Sequence, residues 1–170
     1  MVHHQCKIVV PMSKEAYWKI IFSDEFDTFA APYLKFKKIE IEHDTACTEP
    51  NILKRRVKVY PDYAIPSAML WYLGQTEFHY IDVQQRDEAK QEIISHTIPP
   101  VHEDYLTIST RQYFEPIDDN SCTHIMEIEV SCSAWGIGTI VESAIVSGVE
   151  EGYGLLPKAL EAFLASKANN

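Results

Sequence analysis

From residue 137 onward, apolar and small residues recur at helical spacing, through Ile137, Val141, Ile145, Gly148, Val149, Gly152, Leu156, Leu160 and Phe163. A helix over 137–165 would be ~43 Å long, and few domains of this size need one. Such a stripe must be buried against a partner of matching length, and only a broad sheet made by the rest of the chain can supply it. Pro157 removes the amide that would bond to Tyr153, and Gly152 and Gly154 loosen the backbone nearby. A kink near 153–156, with the helix in two segments, is expected.

The preceding residues read as that sheet. Ile8, Val9 and Val10 mark a strand over 5–12, which Pro11 ends, and Ser13 offers a helix N-cap. Ala16, Tyr17, Ile20 and Ile21 follow at helical spacing. Ser23-Asp24 starts a second short helix carrying Phe26, Phe29, Ala30 and Tyr33. From about residue 35 the period becomes two: Lys37, Ile39, Ile41 and His43 alternate with charged neighbours, as do Leu53, Arg55, Val57 and Val59. Further strands are predicted over 76–86, 90–98, 104–115 and 122–134, separated by turn formers such as Pro99-Pro100 and Asp118-Asp119-Asn120. The order β-α-α-β6-α describes an α+β fold in which a curved antiparallel sheet of about seven strands wraps a long C-terminal helix. The whole of 1–170 forms one domain.

Composition removes several function classes. Fifteen Lys plus Arg against 25 Asp plus Glu give a formal net charge of −10, which disfavours nucleic acid phosphates and anionic lipid. No apolar stretch approaches the ~20 residues of a membrane span. The opening Met1–Lys7 lacks the charged and apolar regions of a signal peptide. Cys6, Cys47, Cys122 and Cys132 have no C-x-x-C spacing, so reduced thiols and a cytoplasmic location are expected. Metal-ligand spacing, a P-loop, a dinucleotide fingerprint and the hydrolase motifs are all missing, so no cofactor or metal is expected and nothing demands an enzyme.

Ser13-Lys14-Glu15-Ala16-Tyr17-Trp18, Ser23-Asp24-Glu25-Phe26 and Gly136-Ile137-Gly138-Thr139-Ile140-Val141-Glu142, within this element order, resemble the START-like (Bet v 1-like, SRPBCC) superfamily of helix-grip domains over nearly the whole chain. The resemblance implies a hydrophobic cavity between the concave sheet and the last helix, holding a lipid, sterol or other apolar small molecule. It also leaves open an aromatase/cyclase-type enzyme in the same pocket, or a co-chaperone-like interaction module. The alternative reading of the residues themselves is a closely packed interior with no cavity.

Several polar residues share the parity of apolar, inward-facing ones. Arg55 lies in register with Val57, His124 with Met126 and Ile128, and Thr110 and Gln112 with Ile108 and Phe114. Buried polar groups need partners. Arg55 therefore anchors a ligand or pairs with an acid at the rim, and His124 orients a ligand or caps a strand end. Glu142 either points inward or is a solvated first-turn acid. With Phe78, Tyr80, Val141, Ile145, Gly148 and Val149, these residues form the expected ligand-binding set. His96, His124, Tyr80 and Tyr113 are the groups available for acid or base chemistry. The segment Pro61–Gly74 is too apolar for an ordinary connector; Ser67 and Gly74 suit the ends of a short helix, and Ile65, Met69, Leu70, Trp71 and Leu73 suit a gate. Transient membrane contact through residues 63–73 is expected, and the same residues could instead plug one end of the core or meet a protein partner.

Overall fold

Both short helices begin where a serine caps them. The Ser13 hydroxyl accepts from the Ala16 amide at 3.2 Å to open α1 (Lys14–Ile20), and the Ser23 hydroxyl accepts from the Phe26 amide at 3.2 Å to open α2 (Asp24–Ala30). The structure, a computed structural model, describes residues 1–62, 76–100 and 104–168. Ahead of the helices lies β1 (Val2–Val10). After them come β2 (Phe36–His43), β3 (Ile52–Pro61), β4 (Tyr80–Asp87), β5 (Glu92–Ile98), β6 (Leu106–Asp118) and β7 (Ser121–Cys132), then α3 (Gly138–Ala168).

The seven strands form one sheet in the order β1-β7-β6-β5-β4-β3-β2, antiparallel at every junction. Since β1 and β2 occupy opposite edges, α1 and α2 carry the chain across from one edge to the other. Period-two alternation sets the faces: Val57, Ile108, Met126, Ile128 and Val130 are buried on the concave side, while Arg56, Thr107, Arg111 and Glu129 are exposed on the convex side. β1 starts at Val2, three residues before the expected strand, and residues 76–79 precede β4 rather than belonging to it.

The long helix is one uninterrupted element with Pro157 inside it, so the expected division into two segments does not occur. Proline removes one amide bond, but buried Tyr153, Leu156, Leu160 and Phe163 hold the helix to its neighbours on both sides of the break. At 31 residues the helix runs about 46 Å. Its start is fixed by a close approach: a Cβ on Gly138 would lie 2.5 Å from the Cys132 carbonyl oxygen. Only glycine lets α3 begin so near the end of β7.

α3 does not lie centrally over the sheet. It packs against β7, β1 and α2. There Tyr153, Leu156, Leu160 and Phe163 join Tyr17, Trp18, Phe26, Phe114 and Met126 in one core, and a smaller cluster joins Ile145, Val146 and Val149 to Ile108, Ile128 and Val130. Phe163 meets Phe26 and Phe29 edge-on, each at a centroid distance of 5.3 Å. Among the described residues, no helix is long and apolar enough to cross a membrane.

Candidate functional site

The register across the sheet decides which polar side chains share the concave face. One row runs Arg55, Gln84, Ser95, Thr110, Ile128; the next runs Val57, Asp82, Thr97, Ile108, Val130; a third holds Arg86, Ile93, Gln112 and Met126. Polar groups therefore concentrate on β3 to β6, and apolar ones on β7, beneath α3. Every residue of β4 is half-buried, whereas Ile128 and Val130 on β7 are almost completely sealed.

These polar groups bond to one another. The Arg55 Nε donates to Gln84 Oε1 at 2.7 Å, which turns the Gln84 amide so that its Nε2 donates to Asp82 Oδ2 at 2.7 Å. Thr97 Oγ1 donates to Asp82 Oδ1 at 3.1 Å. Ser95 and Thr110 share a hydrogen bond of 2.8 Å. Around them Val57, Val59, Ile93 and Ile108 are buried, so the floor mixes apolar wall with a line of hydrogen-bonding groups.

The far side of Arg55 is committed to the helices. Its Nη1 lies 3.1 Å from Asp24 Oδ1 and its Nη2 2.5 Å from Asp27 Oδ2. Arg55 is therefore the tie that holds α2 to β3, paired with acids as one of the two expectations had it. Burial raises the Asp24 carboxyl, but the bonds and charges of His43 and Arg55 outweigh that and hold it below the usual carboxylate range. Asp27 is more deeply placed, and burial pushes its carboxyl upward against the pull of Arg55. Arg86 performs the same service for α1: it donates to the carbonyls of Trp18 and Ile21 at 2.8 and 3.1 Å and stacks over the Trp18 ring.

His124 is completely buried. Gln112 Oε1 accepts from its Nε2 at 2.9 Å, so its Nδ1 accepts from the Tyr17 hydroxyl at 3.0 Å. The Tyr153 hydroxyl donates to the His124 carbonyl at 2.8 Å. The imidazole is neutral, its pKa lowered to about 3 by burial. It joins α1, β6, β7 and α3 within the packed core, out of reach of a ligand, and it does not cap a strand end. Glu142 is also inward: its Oε1 accepts from the Cys132 amide at 2.8 Å and lies 2.9 Å from the Met1 amino group, and that amide bond leads the causes holding its pKa low.

The expected binding set thus divides. Val57, Thr110 and Tyr80 lie on the half-buried part of the concave face, and Phe78 is half-buried just ahead of β4. Met126, Ile128, Ile145 and Val149 are packing residues of the two clusters, and Gln112 is held by His124. Val141 is half-buried. Gly148 is exposed and is removed from the set. At 100° per residue it points roughly a quarter-turn away from the direction shared by Ile145, Val149, Leu156 and Phe163. Of the acid–base candidates, His96 is exposed on the convex face, and Tyr113 bonds to Glu127 there at 3.1 Å. The gate residues Ile65, Met69, Leu70, Trp71 and Leu73, and the short helix expected near them, lie outside the described residues.

Asp82, Gln84, Ser95 and Thr97 were not singled out by the sequence reading. The signal was present: stepping by two from Phe78 and Tyr80 reaches Asp82 and Gln84. Two small pockets are lined by described residues. One, of about 10 Å³, lies between β1 and Leu156, Pro157 and Leu160. The other, of about 60 Å³, lies between Phe22, His43, Leu53, Arg55 and Gln84. Both are well below the ~300 Å³ at which small-molecule sites begin, so neither is the candidate site. No cluster of His, Cys, Asp and Glu among the described residues could hold a metal ion.

No protein-family model matches the chain, and no curated protein matches it in sequence. Solved structures do match its shape. The ZhuI aromatase/cyclase from Streptomyces sp. R1128 superposes with a TM-score of 0.65 at 12% identity, over 93% of this chain and 90% of the other. Norcoclaurine synthase from Thalictrum flavum, in complex with dopamine and hydroxybenzaldehyde, gives 0.65 at 16% identity, over 97% and 87%. A START superfamily protein from Mycobacterium smegmatis gives 0.59 at 14%, over 95% and 98%. At these identities the likeness is one of fold: the chain has the helix-grip architecture of START and Bet v 1-like domains, a curved antiparallel sheet around a long C-terminal helix.

Proposed function

We propose that the protein binds a hydrophobic small molecule, a lipid or sterol, against the concave face of β3 to β6 beside α3, and carries it within the cytoplasm. One observation supports this most: the polar groups of the concave face gather where α3 does not pack. A sheet face that served only as core would be expected to be apolar there, since half-buried hydroxyl, amide and carboxylate groups cost stability unless they are used. Val57, Val59 and Ile108 would desolvate the body of such a molecule, at about 25 cal/mol per Å² of apolar area. The solved relatives in fold include norcoclaurine synthase with two aromatic small molecules bound, which lends this reading support by analogy alone.

Entry is assigned to the end of the sheet where β3 ends, β4 begins and β7 passes into α3. Residues 63–73, between β3 and β4 in the sequence, are apolar; where β7 passes into α3, Trp135 is 99% exposed, with Ile137 and Ile140 also largely in solvent. A rim of this kind suits transient contact with a lipid surface. Native mass spectrometry of protein purified from cells should find an apolar molecule bound at one per chain. A clean apo protein that also ignores fluorescent sterol and fatty-acid probes would overturn the proposal.

A further inference from the structure

The carboxylate on the concave floor carries a consequence for head-group chemistry. Asp82 sits mid-strand on β4, between Val57 on one side and Thr97 on the other. It receives one hydrogen bond on each oxygen, from neutral donors: the Thr97 hydroxyl and the Gln84 amide. A carboxylate can accept about four, so two acceptor positions are left for another group. Among the described residues no lysine, arginine or histidine pairs with it, and His102 is the one basic residue in segments 63–75 and 101–103.

Arg55 does not neutralise it. Arg55 reaches Asp82 only through the Gln84 amide, and its guanidinium is already divided between Asp24 and Asp27. Arg86, on the same face, is turned to the Trp18 and Ile21 carbonyls and to Glu88, so neither guanidinium pairs with Asp82. Gln84 is fixed in orientation by Arg55, with its oxygen toward the guanidinium and its amide nitrogen toward Asp82. Gln84 is a positioning residue.

Resting on the proposed binding of a hydrophobic molecule, we infer that Asp82 is the head-group acceptor of this site, and that it takes amphiphiles whose polar end donates hydrogen bonds, a hydroxyl or an ammonium, while excluding carboxylates and phosphates. A donor head completes the acceptor capacity of Asp82. An anionic head would bring like charge against the half-buried Asp82 carboxylate, which has no ion-pair partner among the described residues.

Three probes with one tail decide the matter: 1-decanol, decylamine and decanoate, titrated into the folded protein below their aggregation limits. Decanol and decylamine should each bind at least about tenfold more tightly than decanoate, a separation of about one step of 1.4 kcal/mol. In the Asp82→Asn variant, checked for an unchanged circular dichroism spectrum, the decylamine advantage over decanoate should shrink to less than about threefold. Equal binding of all three by the unaltered protein would overturn the assignment of Asp82 and leave the hydrophobic site standing. An unchanged ranking in Asp82→Asn would do the same. Failure of all three to bind would overturn the site itself.

Discussion

The two halves of the concave face share one sheet and one alternation, yet they are finished differently. Over β7 the inward residues from Cys122 to Val130 meet the helices with almost no exposed surface, and the completely buried His124 has hydrogen-bond partners on both ring nitrogens. Over β3 to β5 the inward row mixes buried Arg55, Val57, Val59, Ile93 and Ser95 with the half-buried polar residues of β4 and Thr97, and α3 packs elsewhere. The first half is built as a core. The second carries a line of polar side chains that is half-buried along β4, and the proposed ligand contacts are drawn from it.

Substitutions should respond to this division. The largest loss is expected in the packed half: Phe163→Ala removes the ring that meets Phe26 and Phe29 and should cost about 3–5 kcal/mol in chemical denaturation. Next, Arg55→Met strands the buried Asp27 carboxylate and should cost about 3 kcal/mol. Asp24→Asn, at the half-exposed end of the same ion pair, should cost less than about 1 kcal/mol. A ratio near one between those two losses would mean that Arg55 does not tie α2 to the sheet.

His124 gives the division a pH signature. Its pKa is about 3 in the fold, against about 6.5 in an unfolded chain, so between those values the unfolded state binds the extra proton. The stability His124 contributes is fully present above about pH 6.5 and declines as pH falls toward 3, by up to about 1.4 kcal/mol per pH unit. Comparing unfolding free energies of the unaltered protein and His124→Gln across this window should show a steeper fall in the former; parallel curves would place an exchanging, solvated imidazole at this position. The smallest effect is expected from the open half. Thr97→Val or Thr110→Val should alter stability by less than about 1 kcal/mol while changing ligand affinity, and a loss on the scale of Phe163→Ala would make those hydroxyls part of the core.

Much of this was legible in the sequence because it is written in local periods. Alternation assigned Arg55, Thr110, Gln112 and His124 to the concave face, and Ser13 and Ser23 announced both short helices. What was not legible depends on distant pairings. Nothing near Arg55 in sequence shows that Asp24 and Asp27 await it, and nothing near His124 shows Tyr17. The inward direction of α3 was obscured because its apolar residues cover more than one face: Ile137, Ile140 and Ala144 are exposed and point about a quarter-turn or more away from Ile145 and Leu156. Pro157 read as a break because propensity weighs one amide, while tertiary packing weighs four buried side chains. Asp82 was passed over because a charged residue within a strand reads as outward until its parity is followed.

Residue-resolved NMR during a decanol titration tests the contrast most directly. The amide and side-chain signals of Val57, Asp82, Gln84, Thr97 and Thr110 should shift in proportion to ligand bound, while those of Tyr17, Ile128, Val130 and His124 stay in place. Shifts confined to Tyr17, His124 and their neighbours, or spread evenly over both halves, would contradict the assignment of the β3–β6 face as the binding surface.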